Sequence, residues 1–227
     1  MFDPKALLDQ VLGGKGPDGE RKGMSPEMVK ALAGGAALGG LAGILLGGKG
    51  AKKLATTALK VGGTAALAGL AYKAYNDWQA SKSGSPPPPA NDRPPPAEGT
   101  AFLPAIPKAR DELSLSLLRA MIAAAKADGH IDAKEQQAIF AKLDALSLDT
   151  EAKAFVIDEL RKPLDIDAVV AGASSPEVAA EIYAVSLLAI DADDPAEQAY
   201  LAMLSARLKL DAGLKMRIEQ EAAKALA

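Results

Sequence analysis

Residues 132–153 read DAKEQQAIFAKLDALSLDTEAK, and residues 194–215, 62 positions later, read DPAEQAYLAMLSARLKLDAGLK. Asp132 falls on Asp194, Glu135 on Glu197 and Gln136 on Gln198, and no gap is needed. Ile139 falls on Leu201, Leu146 on Leu208, Leu148 on Leu210, Asp149 on Asp211 and Lys153 on Lys215. Each copy starts D-x-x-E, which places an acceptor at a helix N-cap and an acid at the third helical position. Each then carries apolar residues at helical spacing and closes on L-x-L-D. The upstream helices align with one gap, which sets Asp128 over Asp191. A unit of helix, acidic corner, helix, L-x-L-D turn and helix, used twice, predicts an all-α domain with internal duplication and approximate two-fold symmetry.

The rest of residues 108–227 fits that unit. KARDELSLSLLRAMIAAAKAD spaces Leu113, Leu117, Leu118, Met121, Ile122 and Ala125 on one helical face. A helix is expected to start near Asp149 or Thr150 and to end before Pro163, with a short one opening at Asp165. Ser174 or Ser175 caps SPEVAAEIYAVSLLAID, with Pro176 at its first position.

Composition agrees with a helical chain. Aromatic residues make up 4% of 227, and Ala and Leu dominate without long β-branched alternation. Without cysteine there is no disulfide framework and no thiolate zinc site. Charge is uneven. Residues 1–83 hold 11 Lys and Arg against 6 Asp and Glu, while residues 84–227 hold 15 against 23. The acidic part argues against nucleic-acid binding, and the basic part suits an anionic membrane surface.

Four segments follow along the chain. Residues 1–25 are an amphipathic helix, with Phe2, Leu7, Leu8, Val11 and Leu12 apolar, stopped by Gly13 and Gly14 and followed by a polar linker. No cleavable signal peptide is expected there. Residues 26–80 carry two apolar stretches. The first has no charge from Ala31 to Gly48, and Gly35, Gly39, Gly43 and Gly47 line one helix face. Such a face lets another helix approach closely in lipid, and with Met28 the stretch has about the length that spans a bilayer core. The second stretch, residues 54–75, ends in Tyr72, Tyr75 and Trp78, placed as an interfacial aromatic anchor would be. A helical hairpin, one span with an interfacial helix, and a soluble helical pair packed on a partner all stay open. Residues 81–107 hold nine prolines and read as an extended spacer and domain boundary. Residues 108–227 form the helical domain.

The corner ADGHIDAKE (127–135), the later IDADDPAEQAYL (190–201) and the L-x-L-D turns resemble the TerB-like helical superfamily, named for a tellurite-resistance protein. The opening MFDPKALLDQVLGG, the glycine-rich middle and the proline linker resemble one branch of it, the DUF533 family of inner-membrane proteins related to YebE. The resemblance implies an all-helical C-terminal bundle, a bacterial inner-membrane location and no established activity. It also implies divalent-metal binding through acidic corner residues. Carried over by position, these are Asp128, Asp132 and Glu135, and in the second corner Asp191, Asp193, Asp194 and Glu197. Calcium or magnesium is the expected cation, because hard ions take oxygen ligands. The spacing is not that of an EF-hand, since Gly129 follows Asp128 at once. Capping accounts for Asp132, Glu135, Asp194 and Glu197 without a metal. His130 is the chain's one histidine and reads as a surface or capping residue.

No P-loop, G-x-S-x-G or second histidine is present, so no enzyme is expected. The expectation is a membrane-associated helical scaffold or sensor in the bacterial inner membrane. Its C-terminal domain is cytoplasmic, binds a protein partner under divalent-metal control, and the glycine-faced helices give a homo-oligomer. A soluble calcium- or magnesium-binding module is the alternative, and a hydrolase using the acidic corners ranks last.

Overall fold

A computed structural model describes residues 2–12, 64–83, 98–127, 150–190 and 194–226. The described residues form eight helices and no strand beyond an isolated bridge between Thr100 and Leu103. The helices are α1 (Pro4–Val11), α2 (Thr64–Lys82), α3 (Pro107–Ala125) and α4 (Thr150–Arg161), then α5 (Ile166–Ala171), α6 (Pro176–Ala189), α7 (Pro195–Arg207) and α8 (Ala212–Leu226). The all-α expectation therefore holds.

Helix α6 is the axis. It packs against α2, α3, α7 and α8. Val178, Ala180, Ile182, Tyr183, Ala184, Val185, Leu188 and Ala189 are buried around its whole circumference. A helix apolar on every side has to sit inside a bundle. Its start follows the sequence reading: Pro176 is the first helical residue and Ser175 Oγ accepts from the Val178 N–H at 3.3 Å. Asp165 likewise accepts from the Ala168 N–H at 3.0 Å and opens α5.

Helix α1 is amphipathic as expected, and the face is fully used. Leu7, Leu8, Val11 and Leu12 are buried, with Leu8 at 0% exposure. They pack mainly on α3, while Phe2 stacks on Phe155 of α4 with ring centroids 5.2 Å apart. The Asp3 carboxylate accepts from the Ala6 N–H at 2.9 Å and caps the helix.

Helix α2 departs from the sequence reading. Its residues 64–75 belong to the stretch read as a membrane span or interfacial helix, but they pack on α6 and α8 of the C-terminal bundle. Leu67, Ala68, Ala71, Ala74 and Tyr75 are buried there. The physical reason is that small residues let helix backbones approach closely in protein as well as in lipid. The aromatic residues of α2 meet the bundle. Tyr72 and Tyr75 pack edge-on against Phe102, with centroids 5.6 and 5.8 Å away. Trp78 donates its ring N–H to Asp211 at 2.9 Å, ahead of α8. Lys73 pairs with Glu221 of α8, and Glu221 also meets Lys224 at 2.6 Å.

Residues on both sides of the proline-rich stretch 81–107 thus share one hydrophobic core. Among the described residues, no helix is long and apolar enough to cross a membrane. Gly35, Gly39, Gly43 and Gly47 lie outside the described residues.

Candidate functional site

The second acidic corner lies between α6 and α7. Asp194 has extended backbone, and its Oδ1 accepts from the Ala196 N–H at 2.7 Å and the Glu197 N–H at 3.2 Å. That is the N-cap role read from the repeat. Glu197 lies in the first turn of α7, where a negative charge suits the helix dipole. Asp128, His130, Asp132, Glu135, Asp191 and Asp193 lie outside the described residues. Among the described residues, no three metal-ligating side chains come together. Asp194→Ala should therefore cost about 1 kcal/mol through loss of the cap. Urea unfolding with and without calcium measures it, and a loss confined to calcium-containing buffer would contradict the capping role.

The second L-x-L-D, residues 208–211, is a helix–helix turn with a function for each position. Leu208 ends α7 and is buried. Lys209 turns the chain with φ of 53°, while its N–H and that of Leu210 donate back to Ala206 and Ser205 carbonyls at 3.1 Å each. Asp211 then starts α8 by accepting from the Gly213 N–H at 2.8 Å. The same carboxylate receives the Trp78 N–H and pairs with Lys82 at 3.2 Å. Those contacts, Trp78 first, hold Asp211 below the usual carboxylate range. Gly213 suits the close approach, since a Cβ there would sit 3.1 Å from Asp211 Oδ1 and 3.3 Å from the Trp78 ring.

Lys126, just before the first corner in sequence, reaches the end of α4. Its ammonium donates to the carbonyls of Glu159 at 3.0 Å and Lys162 at 2.6 Å. It thereby satisfies the free carbonyl end of α4. Burial is the main cause that draws its ammonium below the ordinary lysine value.

A different group stands out inside the bundle. Glu181 on α6 is 1% exposed, and its Oε2 has no hydrogen-bond partner among the described residues. Desolvation pushes its carboxyl well above the ordinary range, so burial favours the neutral acid. It lines a cleft of about 80 Å³ where α1, the start of α2, the 98–106 segment, α3 and α6 converge. Leu8, Phe102, Leu103, Pro104, Leu113 and Leu117 make its apolar walls, and Lys5, Glu98 and Arg110 lie around it. Arg110 secures one wall by donating to the carbonyls of Pro104 and Ala105 at 3.2 Å each. The one sequence signal for this site was an acid inside the apolar run AAEIYAVSLLAI.

At the neighbouring edge the Asp9 carboxylate joins distant parts of the chain. It takes Lys5 at 2.6 Å, the Thr64 N–H at 3.1 Å and the Thr64 hydroxyl. The end of α1 and the start of α2 are held side by side across 55 positions.

The family model described as "Protein of unknown function (DUF533)" matches residues 31–222. The chain belongs to the DUF533 family. This DUF533 chain is also similar to the "Uncharacterized protein in ampR 5'region" of Yersinia enterocolitica, 31% identical over 111 residues. That match covers 49% of this chain and 80% of the relative. No solved structure matches. Glu181, Asp194 and Asp211 fall inside the region that defines the DUF533 family, whereas α1 precedes it.

Proposed function

We propose that this DUF533 protein is a non-enzymatic helical scaffold that works on the cytoplasmic face of the bacterial inner membrane. The tie between Asp9 and Thr64 carries the reading. Leu12 and Thr64 belong to the same bundle, so both flanks of residues 13–63 stand on one side of any membrane the protein meets. Those residues hold the uncharged stretch from Ala31 to Gly48 and, outside it, eight Lys and Arg against three Asp and Glu, which suits an anionic lipid surface.

The tie also narrows how that stretch could enter lipid. With α2 occupied by the bundle from Thr64, residues 54–63 are what is left to return. As a helix they would reach about 15 Å, half of a bilayer core of about 30 Å. Extended backbone in lipid leaves its polar groups unbonded. Insertion from one side, without crossing, is the form that fits. The bundle then serves as the part that meets a protein partner, and the glycine face at Gly35, Gly39, Gly43 and Gly47 as the part that brings copies together. The TerB-like resemblance adds calcium or magnesium at the acidic corners. Calorimetric titration of the full chain tests that addition, and no heat at millimolar calcium or magnesium removes it.

Flotation with anionic vesicles tests the main reading. The full chain should float. A variant with residues 13–63 replaced by a short Gly-Ser linker should fold but stay at the bottom of the gradient. Equal flotation of the two would overturn the reading, as would reporters at the two termini that fall on opposite sides of the membrane.

A further inference from the structure

We propose that the cleft floored by Glu181 binds a primary ammonium group carried on a short aliphatic stem. The geometry sets the size: about 80 Å³, narrow and apolar-walled, admits a few carbon atoms and not a cofactor-sized ligand. The charges set the sign. Of the two cations around the cleft, Lys5 is paired with Asp9 at 2.6 Å, and Arg110 shares the lining with Glu98 and donates to two backbone carbonyls. Neither cation is bonded to Glu181, whose Oε2 has no hydrogen-bond partner among the described residues. A buried carboxylate needs a partner that is both charged and a donor. An ammonium at the floor supplies both, and its stem lies along Leu8, Leu113 and Leu117.

The balance is simple. The neutral Glu181 carboxyl releases its proton to solvent, and the carboxylate formed pairs with the incoming ammonium. Binding therefore weakens as pH falls, because the ligand stays charged while Glu181 is held protonated. Lys5, Glu98 and Arg110 are the other charged groups that line the cleft. The chemistry has two sources, a free alkylamine or the lysine side chain of a partner protein.

The test is titration of the full chain with n-butylammonium, with butanol and butyrate as same-sized controls. The expected result is saturable butylammonium binding, weakened about tenfold or more in Glu181→Gln, in line with loss of a charge-assisted hydrogen bond. Leu113→Phe, which fills the cleft from its half-buried wall, should give a similar loss. A parallel titration with Nα-acetyl-lysine methylamide separates the sources. Binding of both ligands points to a lysine side chain, and binding of butylammonium alone points to a free amine. The proposal is overturned by equal affinity of Glu181→Gln, by butanol or butyrate binding as tightly, or by no saturation at tens of millimolar.

Discussion

Replacing Leu8 by Ala is expected to destabilise the whole chain by about 2–5 kcal/mol, the cost of emptying a fully buried leucine site. Leu8 is eight residues from the N-terminus and precedes both the glycine-rich segment and the proline-rich stretch. It nonetheless sits at 0% exposure in the core that contains Leu118, Ile182 and Leu204. The loss should thus lower the single unfolding midpoint of the bundle as well as that of α1. Urea denaturation followed by circular dichroism reads the global transition, and Trp78 fluorescence reads the junction of α2 with α8. Both should shift together. If the Trp78 transition stays in place while only a small helical amplitude is lost early, α1 would be an appendage and not part of the core.

Glu181→Leu is expected to have the opposite sign. The wild-type carboxyl has a buried, unpartnered oxygen, and replacing such a group by an apolar one of similar size removes a cost of about 1–3 kcal/mol. The gain depends on pH. Burial raises the folded-state value of Glu181 above the ordinary 4.5. Between those two values the folded chain keeps a proton that the unfolded chain has released. Stability contributed by this group is therefore full below about 4.5 and falls as pH rises toward the folded value. The difference between variant and wild type should grow from pH 4.5 upward and level off once Glu181 ionises in the folded protein. Urea midpoints at a series of pH values measure it. A difference that stays flat with pH would mean that Glu181 is not held neutral. Glu177 and Glu221 are shifted below the ordinary value; burial is the largest single influence on each, but it is outweighed by the combined hydrogen bonds from Ser175, the Glu177 backbone and Tyr75 at Glu177 and by Lys224 and Lys73 at Glu221, so both contribute in the other direction. Their effect cancels in the difference.

Much of the bundle is legible in the sequence, and the reasons are local. Ser175, Pro176 and an uninterrupted apolar run announce α6. Asp165 and Asp194 announce α5 and α7, because a side-chain acceptor before a helix meets the same unpaired N–H groups each time. The repeated L-x-L-D reads as a turn, and in the second copy the structure gives each position a role: a buried end, a left-handed turn, a packed leucine and a cap.

What was not legible depends on contacts between distant segments. Ala68, Ala71 and Ala74 would suit a lipid-embedded partner as well as α6 and α8, so periodicity could not say which surface covers α2. Tyr75 and Trp78 read as membrane-interface aromatics because their amphipathic rings suit that setting. Of the residues they meet, Phe102 lies near the end of the proline-rich stretch itself and Asp211 far beyond it. The cleft is assembled from five separate segments. Only Glu181, an acid where apolar residues surround it in sequence, betrayed it.

The account rests on one core that joins α1 and α2 to the helices beyond the proline-rich stretch. Hydrogen exchange on the intact chain, resolved by segment, tests this most directly. Amides of α1 and of residues 67–75 in α2 should exchange with the slow core of α6, and the protection of all three should fall together in Leu8→Ala. Fast exchange in α1 and α2 beside a protected α6 would contradict the account.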